Sequence, residues 1–246
     1  MRDPVIELIG LSKKYGRSMV VDNLDLEIHK GEVFGFLGPN GAGKSTTILM
    51  LLGLTEPTLG TVKVCGINAT RQPIEVKKKV GYLPEDVGFY EQMTGIENLC
   101  YTAQLNGVPK SQAREKAIDL MNKIGLSEQL EMKTSKYSKG MRQRLGLADV
   151  LIKEPEIIIL DEPTSGIDPA GINEFIELIR HLSKENGLTV LFSSHHLDQV
   201  QQVCDRVSLF DKGKILAVVN LKSEEVKGQN LETIYNHYFE KGTSYE

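Results

Sequence analysis

The sequence predicts an α/β fold with a parallel-sheet core, an N-terminal antiparallel β subdomain and an inserted helical subdomain. Two very apolar segments, EIIIL at 156–160 and LTVLFS at 188–193, flank an amphipathic segment at about 169–185. Apolar strands that alternate with helices are typical of a parallel sheet covered on both faces. The third observation is the long run from about 88 to 153, whose character is helical and which predicts the inserted subdomain.

Strand and helix patterns follow one another in order along the first third of the chain. The segments 4–9 and 24–28 alternate apolar and polar side chains, as half-buried strands do. The segment GEVFGFLG then leads through a glycine-rich loop into an apolar helix at 46–54. Further strands are predicted at 60–65 and 80–83.

The helical run is divided by Pro109 and Gly125, which are residues that interrupt helices. Three candidate helices result, at 94–106, 111–124 and 140–153. Near the other end of the chain, the segment VSLFDKGKILAVV predicts a hairpin that turns at Asp211-Lys212-Gly213.

These elements predict one domain over 1–222, with the helical subdomain inserted at about 86–153, and a polar tail over 223–246 that holds one helix at 231–240. The composition is that of an ordinary globular protein, with 40% hydrophobic and 25% charged residues. The net charge of −4 gives no electrostatic reason to expect nucleic acid as a partner. The three cysteines form no CxxC pair, so no zinc site is predicted and a reducing compartment is expected.

Neither a secretory signal nor a membrane span is expected from the apolar segments. The N-terminal MRDPVIELIG has no long apolar region. The apolar runs are far shorter than the ~18 residues of a membrane helix. Any association with a membrane is therefore expected to occur through a partner.

A glycine-rich stretch predicts a triphosphate site. It matches the pattern G-x-x-x-x-G-K-[ST] without a mismatch, at Gly38, Pro39, Asn40, Gly41, Ala42, Gly43, Lys44, Ser45 and Thr46. In this pattern, backbone N–H groups and a helix N-terminus face phosphate oxygens. Lys44 would then reach the β- and γ-phosphates, and the Ser45 hydroxyl would bind Mg²⁺. A P-loop NTPase core is therefore predicted.

The strand IIIL ends in two adjacent carboxylates, Asp161 and Glu162. Asp161 suits Mg²⁺, which prefers hard oxygen ligands. Because neighbouring side chains on a strand point in opposite directions, the two carboxylates can take different roles. We predict that Glu162 faces the attacking water.

The segment YSKGMRQRLGLA at 137–148 resembles the signature motif of the ATP-binding cassette (ABC) ATPases. Other segments match that family in the same order, namely KKYG at 13–16, GYLPED at 81–86, SGID at 165–168 and SSH at 193–195. The resemblance covers about 1–220.

The resemblance implies a role for each matching residue. Tyr15 would stack on adenine, and Ser138 and Gly140 would contact the γ-phosphate of an ATP held by a second copy. With Lys139 and Asp168, they would form the dimer interface. His195, rather than its neighbour His196, would contact the γ-phosphate, so that Glu162, His195 and Lys44 are the predicted catalytic residues.

Two positions depart from the family pattern. Met141 stands where the signature usually has glutamine, which puts any contact of that amide in question. Glu85 stands where the family usually has a glutamine ligand of Mg²⁺, and its carboxylate would replace a neutral oxygen by a charged one. The predicted metal ligands are therefore Ser45, Glu85 and Asp161. The Leu-Pro-Glu form resembles export-type members for drugs, antibiotics and polysaccharides.

The resemblance implies an ATPase that pairs head to tail around two ATP molecules and drives a separate integral membrane permease. The subunit would lie in the cytoplasm against the inner face of the membrane. The permease would dock on the helical segment 86–136. Phe89, Tyr90 and Leu99 are candidate contacts, and packing in the core is an equal alternative for each. The alternatives are a soluble ABC ATPase of DNA repair or ribosomes, and a regulatory subunit that binds ATP without cleaving it.

Overall fold

The computed structural model of the protein describes residues 4–224, 226 and 229–242. Its larger sheet has six strands in the order β10-β9-β3-β8-β7-β6. The strands are β3 (Val33–Leu37), β6 (Val80–Leu83), β7 (Ile157–Asp161), β8 (Thr189–Ser194), β9 (Arg206–Asp211) and β10 (Lys214–Asn220). All neighbours in this sheet are parallel except β9 and β10, which form the predicted hairpin. The predicted α/β fold with a parallel core is confirmed.

The smaller sheet is antiparallel and has the order β2-β1-β4-β5. Its strands are β1 (Pro4–Tyr15), β2 (Ser18–His29), β4 (Leu59–Val64) and β5 (Ile67–Asn68). The first two are 12 residues long, about twice the lengths predicted from 4–9 and 24–28. Register shifts between β1 and β2 beyond Leu8 break the alternation of side chains. The period-two pattern therefore fades where the strands continue.

Helices cover both faces of the parallel sheet, and their bounds follow the sequence pattern closely. They are α1 (Lys44–Leu51), α2 (Pro73–Lys79), α3 (Gly95–Leu105), α4 (Lys110–Lys123), α5 (Lys139–Leu151), α6 (Pro169–Asn186), α7 (Leu197–Val203) and α8 (Leu231–Gly242). The short helices α2 and α7 were not predicted, because seven residues give too few turns for a clear helical period.

Three apolar clusters form the core. One lies between the two sheets around α1, the second packs α6, α7 and α8 against the opposite face of the parallel sheet, and the third lies within α3, α4 and α5. Every residue of β3, β7 and β8 is buried, which explains their continuous apolar sequences. Because β3, β8 and β7 are parallel neighbours, their carboxyl ends lie at a common edge of the sheet, where the candidate site lies.

Local sequence signals fix the ends of several helices. Thr94 and Glu97 form a capping box at the start of α3. Asp168 caps α6 with Pro169 in its first turn, and Gly187 ends that helix in the left-handed conformation. Helix α8 lies in the predicted polar tail and buries Leu231 against the second cluster. Within the described residues, no helix combines the length and the apolar composition that crossing a bilayer requires.

Candidate nucleotide site

The glycine-rich loop between β3 and α1 adopts a backbone that side chains would obstruct. Gly41 and Gly43 have φ angles of 82° and 103°. A Cβ atom on Gly43 would lie 2.7 Å from the carbonyl oxygen of Val20. Helix α1 begins directly after this residue, so its unpaired N–H groups lie at the loop. The arrangement suits an anion such as a phosphate.

The hairpin turn between β9 and β10 braces the loop. The N–H of Gly213 donates to the carbonyl of Ala42 at 3.0 Å, and the N–H of Asp22 donates to the carbonyl of Gly213 at 2.8 Å. A Cβ on Gly38 would lie 2.3 Å from the carbonyl oxygen of Phe210. The loop is therefore held between β2 and the β9–β10 hairpin, which lies far from the loop in the sequence.

Lys44 is the first residue of α1, and its side chain is 5% exposed. Its ammonium donates to the carbonyls of Gly38 at 2.6 Å and Pro39 at 3.2 Å. It also lies 3.6 Å from Oε1 of Glu162. Burial lowers the pKa of Lys44, while Glu162 and Asp161 oppose that shift.

Asp161 ends β7 and lies beside the start of α1. The Ser45 hydroxyl donates to Oδ1 of Asp161 at 3.5 Å. Burial raises the pKa of Asp161, with the Ser45 hydroxyl and the Lys44 charge acting in the opposite direction. A hydroxyl beside a carboxylate suits Mg²⁺, whose other ligands are commonly waters and substrate phosphates. These two residues therefore fit the metal.

Glu162 has a left-handed backbone with φ of 47°, which is uncommon for a residue with a side chain. Its N–H donates to the carbonyl of Ser193 at 3.0 Å, and its side chain is 12% exposed. Oε2 lies 3.0 Å from Nδ1 of His195. The left-handed residue interrupts the alternation of the strand, so Asp161 and Glu162 contact the successive residues Ser45 and Lys44. A buried carboxylate held in a strained conformation is typical of a functional residue.

The structure brings most of the predicted residues of the phosphate site to one cleft. Its lining consists of Val20, Asn40, Gly41, Ala42, Gly43, Lys44, Ser45, Thr46, Glu85 and Glu162. Asp161 contacts the lining residue Ser45, and His195 contacts the lining residue Glu162. Val20 was not predicted, because a valine on a strand carries no signal of a ligand.

Tyr15 lies at the end of β1, and 49% of its surface is exposed. The ammonium of Lys13 lies 4.8 Å from the centre of its ring. The same β1–β2 hairpin supplies Val20 to the cleft. The ring is thus accessible on the hairpin that borders the phosphate loop, and its stacking on adenine stays a prediction.

The predicted interface residues form a second group, outside the lining of this cleft in the described part of the chain. Ser138 caps α5 by accepting from the N–H of Met141 at 3.2 Å. A Cβ on Gly140 would lie 3.4 Å from Ile167, and Lys139 approaches Gly166. The starts of α5 and α6 are therefore neighbours.

Asp168 belongs to this second group through the start of α6. Its carboxylate accepts from the N–H of Gly171 at 3.1 Å. The capping role expected from its position before Pro169 is thus present.

Glu85 connects the two groups. Its Oε1 accepts from the Ser165 hydroxyl at 2.8 Å, while its backbone carbonyl accepts from the Gln143 amide at 2.7 Å. Gln143 belongs to α5 and is 1% exposed. The predicted metal ligand is thus bonded to the loop before α6 and to the helix that begins at the signature.

Comparison with known proteins places these residues in a family. The family model described as ABC transporter matches residues 21–165, which include the phosphate loop, the signature segment and both carboxylates.

Relatives and a solved structure agree with that match. The bacitracin transport ATP-binding protein BcrA of Bacillus licheniformis is 39% identical over 96% of this chain and 74% of its own length. The daunorubicin/doxorubicin resistance ATP-binding protein DrrA of Streptomyces peucetius is 40% identical, over 86% of this chain and 64% of its own. A solved structure of an ATP-binding subunit of an ABC transporter superposes with a TM-score of 0.82 at 28% identity, covering 96% of this chain and 99% of the other.

Proposed function

The chain belongs to the ABC transporter family and is an ATP-binding and ATP-hydrolysing subunit, and we propose that it powers the export of a drug-like or antibiotic-like compound through a separate permease. Two observations support export. The relatives BcrA and DrrA are named for bacitracin transport and for daunorubicin/doxorubicin resistance. The segment Gly81-Tyr82-Leu83-Pro84-Glu85 also has the form that resembles export-type members.

The contact of Glu162 with Lys44 and His195 carries the assignment of the hydrolytic residues. The carboxylate lies in the cleft, 3.6 Å from Lys44 and 3.0 Å from His195. A carboxylate in that position polarises a water and accepts its proton as the water attacks the γ-phosphate. His195 orients the carboxylate and contacts the γ-phosphate.

The phosphate loop binds and orients the triphosphate in this mechanism. The N–H groups between Gly41 and Thr46 and the start of α1 donate to phosphate oxygens. Lys44 exchanges its bonds to the carbonyls of Gly38 and Pro39 for phosphate oxygens. Ser45, Asp161 and Glu85 would hold Mg²⁺, which would supply positive charge that neutralises the phosphates. Positioning and charge stabilisation thus account for the catalysis.

We propose that a second ABC ATPase subunit completes the site. Ser138, Lys139, Gly140 and Asp168 lie together at the starts of α5 and α6, away from their own cleft. In a head-to-tail pair with two-fold symmetry, this face would cover the ATP of the partner subunit. ATP then stabilises the pair, because it gains contacts only in the closed arrangement.

The permease would dock where the helical segment meets the parallel sheet. A cavity at this boundary is lined by Leu52, Leu54, Lys77, Val80, Gly81, Tyr82, Thr102, Asn106, Asp149, Val150 and Lys153.

Tyr90 is 57% exposed and packs edge-on against the exposed Tyr101. Phe89 is half-buried, whereas Leu99 is fully buried, which favours core packing for Leu99 over contact with the permease. The subunit would thus lie at the cytoplasmic face of the membrane.

Light scattering with the Glu162→Gln variant tests the paired site. Because the variant should bind ATP without cleaving it, ATP and Mg²⁺ should convert it from monomer to dimer. Adding Ser138→Arg should abolish that dimer while leaving ATP bound. A monomer under saturating ATP and Mg²⁺ would contradict the proposal. Identifying the membrane protein that co-purifies with the subunit tests the permease.

A further inference from the structure

The side chain of Gln199 joins the two loops that carry Glu162 and His195. Gln199 lies in α7, the short helix that follows β8. Its carbonyl oxygen Oε1 accepts from the Thr164 hydroxyl at 2.6 Å and from the Ser194 hydroxyl at 3.4 Å. One oxygen has two lone pairs and can accept both bonds.

Each of the two hydroxyls lies next to a residue of the hydrolytic site. Thr164 stands two residues after Glu162, and Ser194 directly precedes His195. The strands β7 and β8 are parallel neighbours whose register pairs Asp161 with Ser193. Beyond that pair the Glu162 N–H still donates to the Ser193 carbonyl at 3.0 Å, and side-chain contacts add to this bond in setting how far Glu162 lies from His195.

The direct contact between Glu162 and His195 is open to competition from water. The side chain of His195 is 40% exposed. Thr164 and Ser194, by contrast, are 3% and 0% exposed, so water does not replace their shared acceptor easily. The connection through the half-buried Gln199, whose two donors are buried, is thus better protected than the contact that it supports.

The hydrogen bonds of Ser194 also indicate that its hydroxyl is the donor to Gln199. Its hydroxyl accepts from the N–H of His196 at 3.0 Å and therefore uses its proton for Gln199. Without the acceptor on Gln199, the Thr164 and Ser194 hydroxyls would lose the partner to which both donate. An unsatisfied buried donor is costly, so both loops would rearrange.

We propose that Gln199 is a positioning residue for hydrolysis, which holds the loop of Glu162 and the loop of His195 at their working separation. Gln199 is absent from the lining of the phosphate cleft, as far as the described residues show, and acts through its two neighbours. The inference rests on the proposed roles of Glu162 and His195. It adds the side-chain oxygen of Gln199 as the acceptor that holds Glu162 and His195 at their separation.

Two substitutions of Gln199 isolate the acceptor. Gln199→Leu removes it at similar size, and Gln199→Glu retains a side-chain oxygen at the same reach. Gln202→Leu is the matched control, because Gln202 is exposed on the same helix. We expect Gln199→Leu to lower kcat about 10-fold or more, with KM for ATP and ATP affinity within about 2-fold of wild type. Gln199→Glu and Gln202→Leu should stay within about 3-fold in kcat.

Thr164→Val tests the same connection from its other end without changing α7. Both variants break the hydrogen bond between Thr164 and Gln199. The fold-loss in kcat of the double variant Thr164→Val/Gln199→Leu should therefore be smaller than the product of the two single fold-losses. Melting temperatures and ATP affinity, measured for every variant, separate this effect from loss of the fold. Unchanged kcat in Gln199→Leu, or a Gln199→Glu variant as impaired as Gln199→Leu, would overturn the inference.

Nitrogen chemical shifts of the histidine rings separate this inference from the proposed hydrolytic roles. The resonances of His195, assigned with a His195→Asn variant, should move in Gln199→Leu but not in Gln202→Leu. If Glu162→Gln cleaves ATP at the wild-type rate, the proposed role of Glu162 fails while the His195 resonances still report the positioning. His195 resonances that are unmoved by Gln199→Leu would overturn the positioning role itself.

Discussion

Nδ1 of His195 lies 3.0 Å from Oε2 of Glu162, although the two residues leave different strands of the sheet. The other oxygen of Glu162 faces Lys44 at 3.6 Å and has no hydrogen-bond partner among the described residues. One carboxylate therefore contacts a cation on one side and an imidazole on the other. That relationship orients the proposed base, Glu162, towards the triphosphate that the loop would bind.

Glu162→Gln should abolish turnover without weakening ATP binding. The amide keeps the size of the side chain but cannot accept a proton from water, so kcat should fall by about 100-fold or more. Steady-state phosphate release and equilibrium ATP binding check the two expectations. Turnover within about 10-fold of wild type would exclude Glu162 as the base.

Lys44→Ala should weaken nucleotide binding itself. The substitution removes the buried ammonium that would neutralise the β- and γ-phosphates, and we expect ATP affinity to fall about 10-fold or more. Lys110→Ala is a suitable comparison, since that lysine is exposed at the start of α4 and is absent from the lining of the cleft among the described residues. An ATP affinity equal to wild type in Lys44→Ala would contradict the assignment of the loop.

Gly43→Ala should destabilise the chain and impair ATP binding together. The new Cβ would meet the Val20 carbonyl at 2.7 Å in a left-handed backbone, at a cost of about 1–3 kcal/mol. Gly16→Ala is the control for the backbone alone, because Gly16 has φ of 57° with no atom within 4 Å of its Cβ position among the described residues. Chemical denaturation should show the larger loss for Gly43→Ala, and equal losses would refute the steric account.

Substitutions of Glu85 and of Ser165 should change the Mg²⁺ concentration that ATPase activity requires in opposite directions. Glu85→Gln removes the charge of a proposed ligand, so the Mg²⁺ concentration for half-maximal ATPase should rise about 3-fold or more. Ser165→Ala removes the hydroxyl that binds the same carboxylate at 2.8 Å, so that concentration should fall. Shifts in the same direction for both variants would exclude competition between Ser165 and the metal.

The acid Asp149 should make stability depend on pH. Burial raises its pKa, while Thr102 and Lys153 oppose the shift. A carboxyl whose folded pKa lies above the unfolded value supports folding fully below the unfolded value, and this contribution is lost as pH rises through the folded value. Asp149→Asn should therefore gain in melting temperature relative to wild type between pH 4 and pH 7. A constant difference across that range would contradict the expectation.

The sequence predicted the fold well where apolar segments are short and continuous. The strands β3, β7 and β8 are covered on both faces, so burial forces an apolar residue at every position. The long strands β1 and β2 were shortened in the prediction, because their irregular register removes the alternation that marks a strand.

The candidate site was predictable in its residue types but not in its connections. The pattern at 38–46 requires glycines for steric reasons that hold in any such loop, and Gly43 fulfils that requirement. The left-handed conformation of Glu162, the bond from Ser165 to Glu85 and the acceptor on Gln199 join residues far apart in the chain. No local pattern encodes such contacts. For Leu99 the sequence left core packing and interface open, and its complete burial supports core packing.

The bonds from Gly213 to Ala42 and from Asp22 to Gly213 have a consequence for synthesis. A ribosome makes the phosphate loop early, but the hairpin turn that lies against it emerges only after a further 170 or so residues have been translated. A nascent chain that stops short of this turn would lack both hydrogen bonds at the phosphate loop, and we expect it to bind a nucleotide weakly. We therefore expect chains truncated before this turn to bind ATP more weakly than chains that include it.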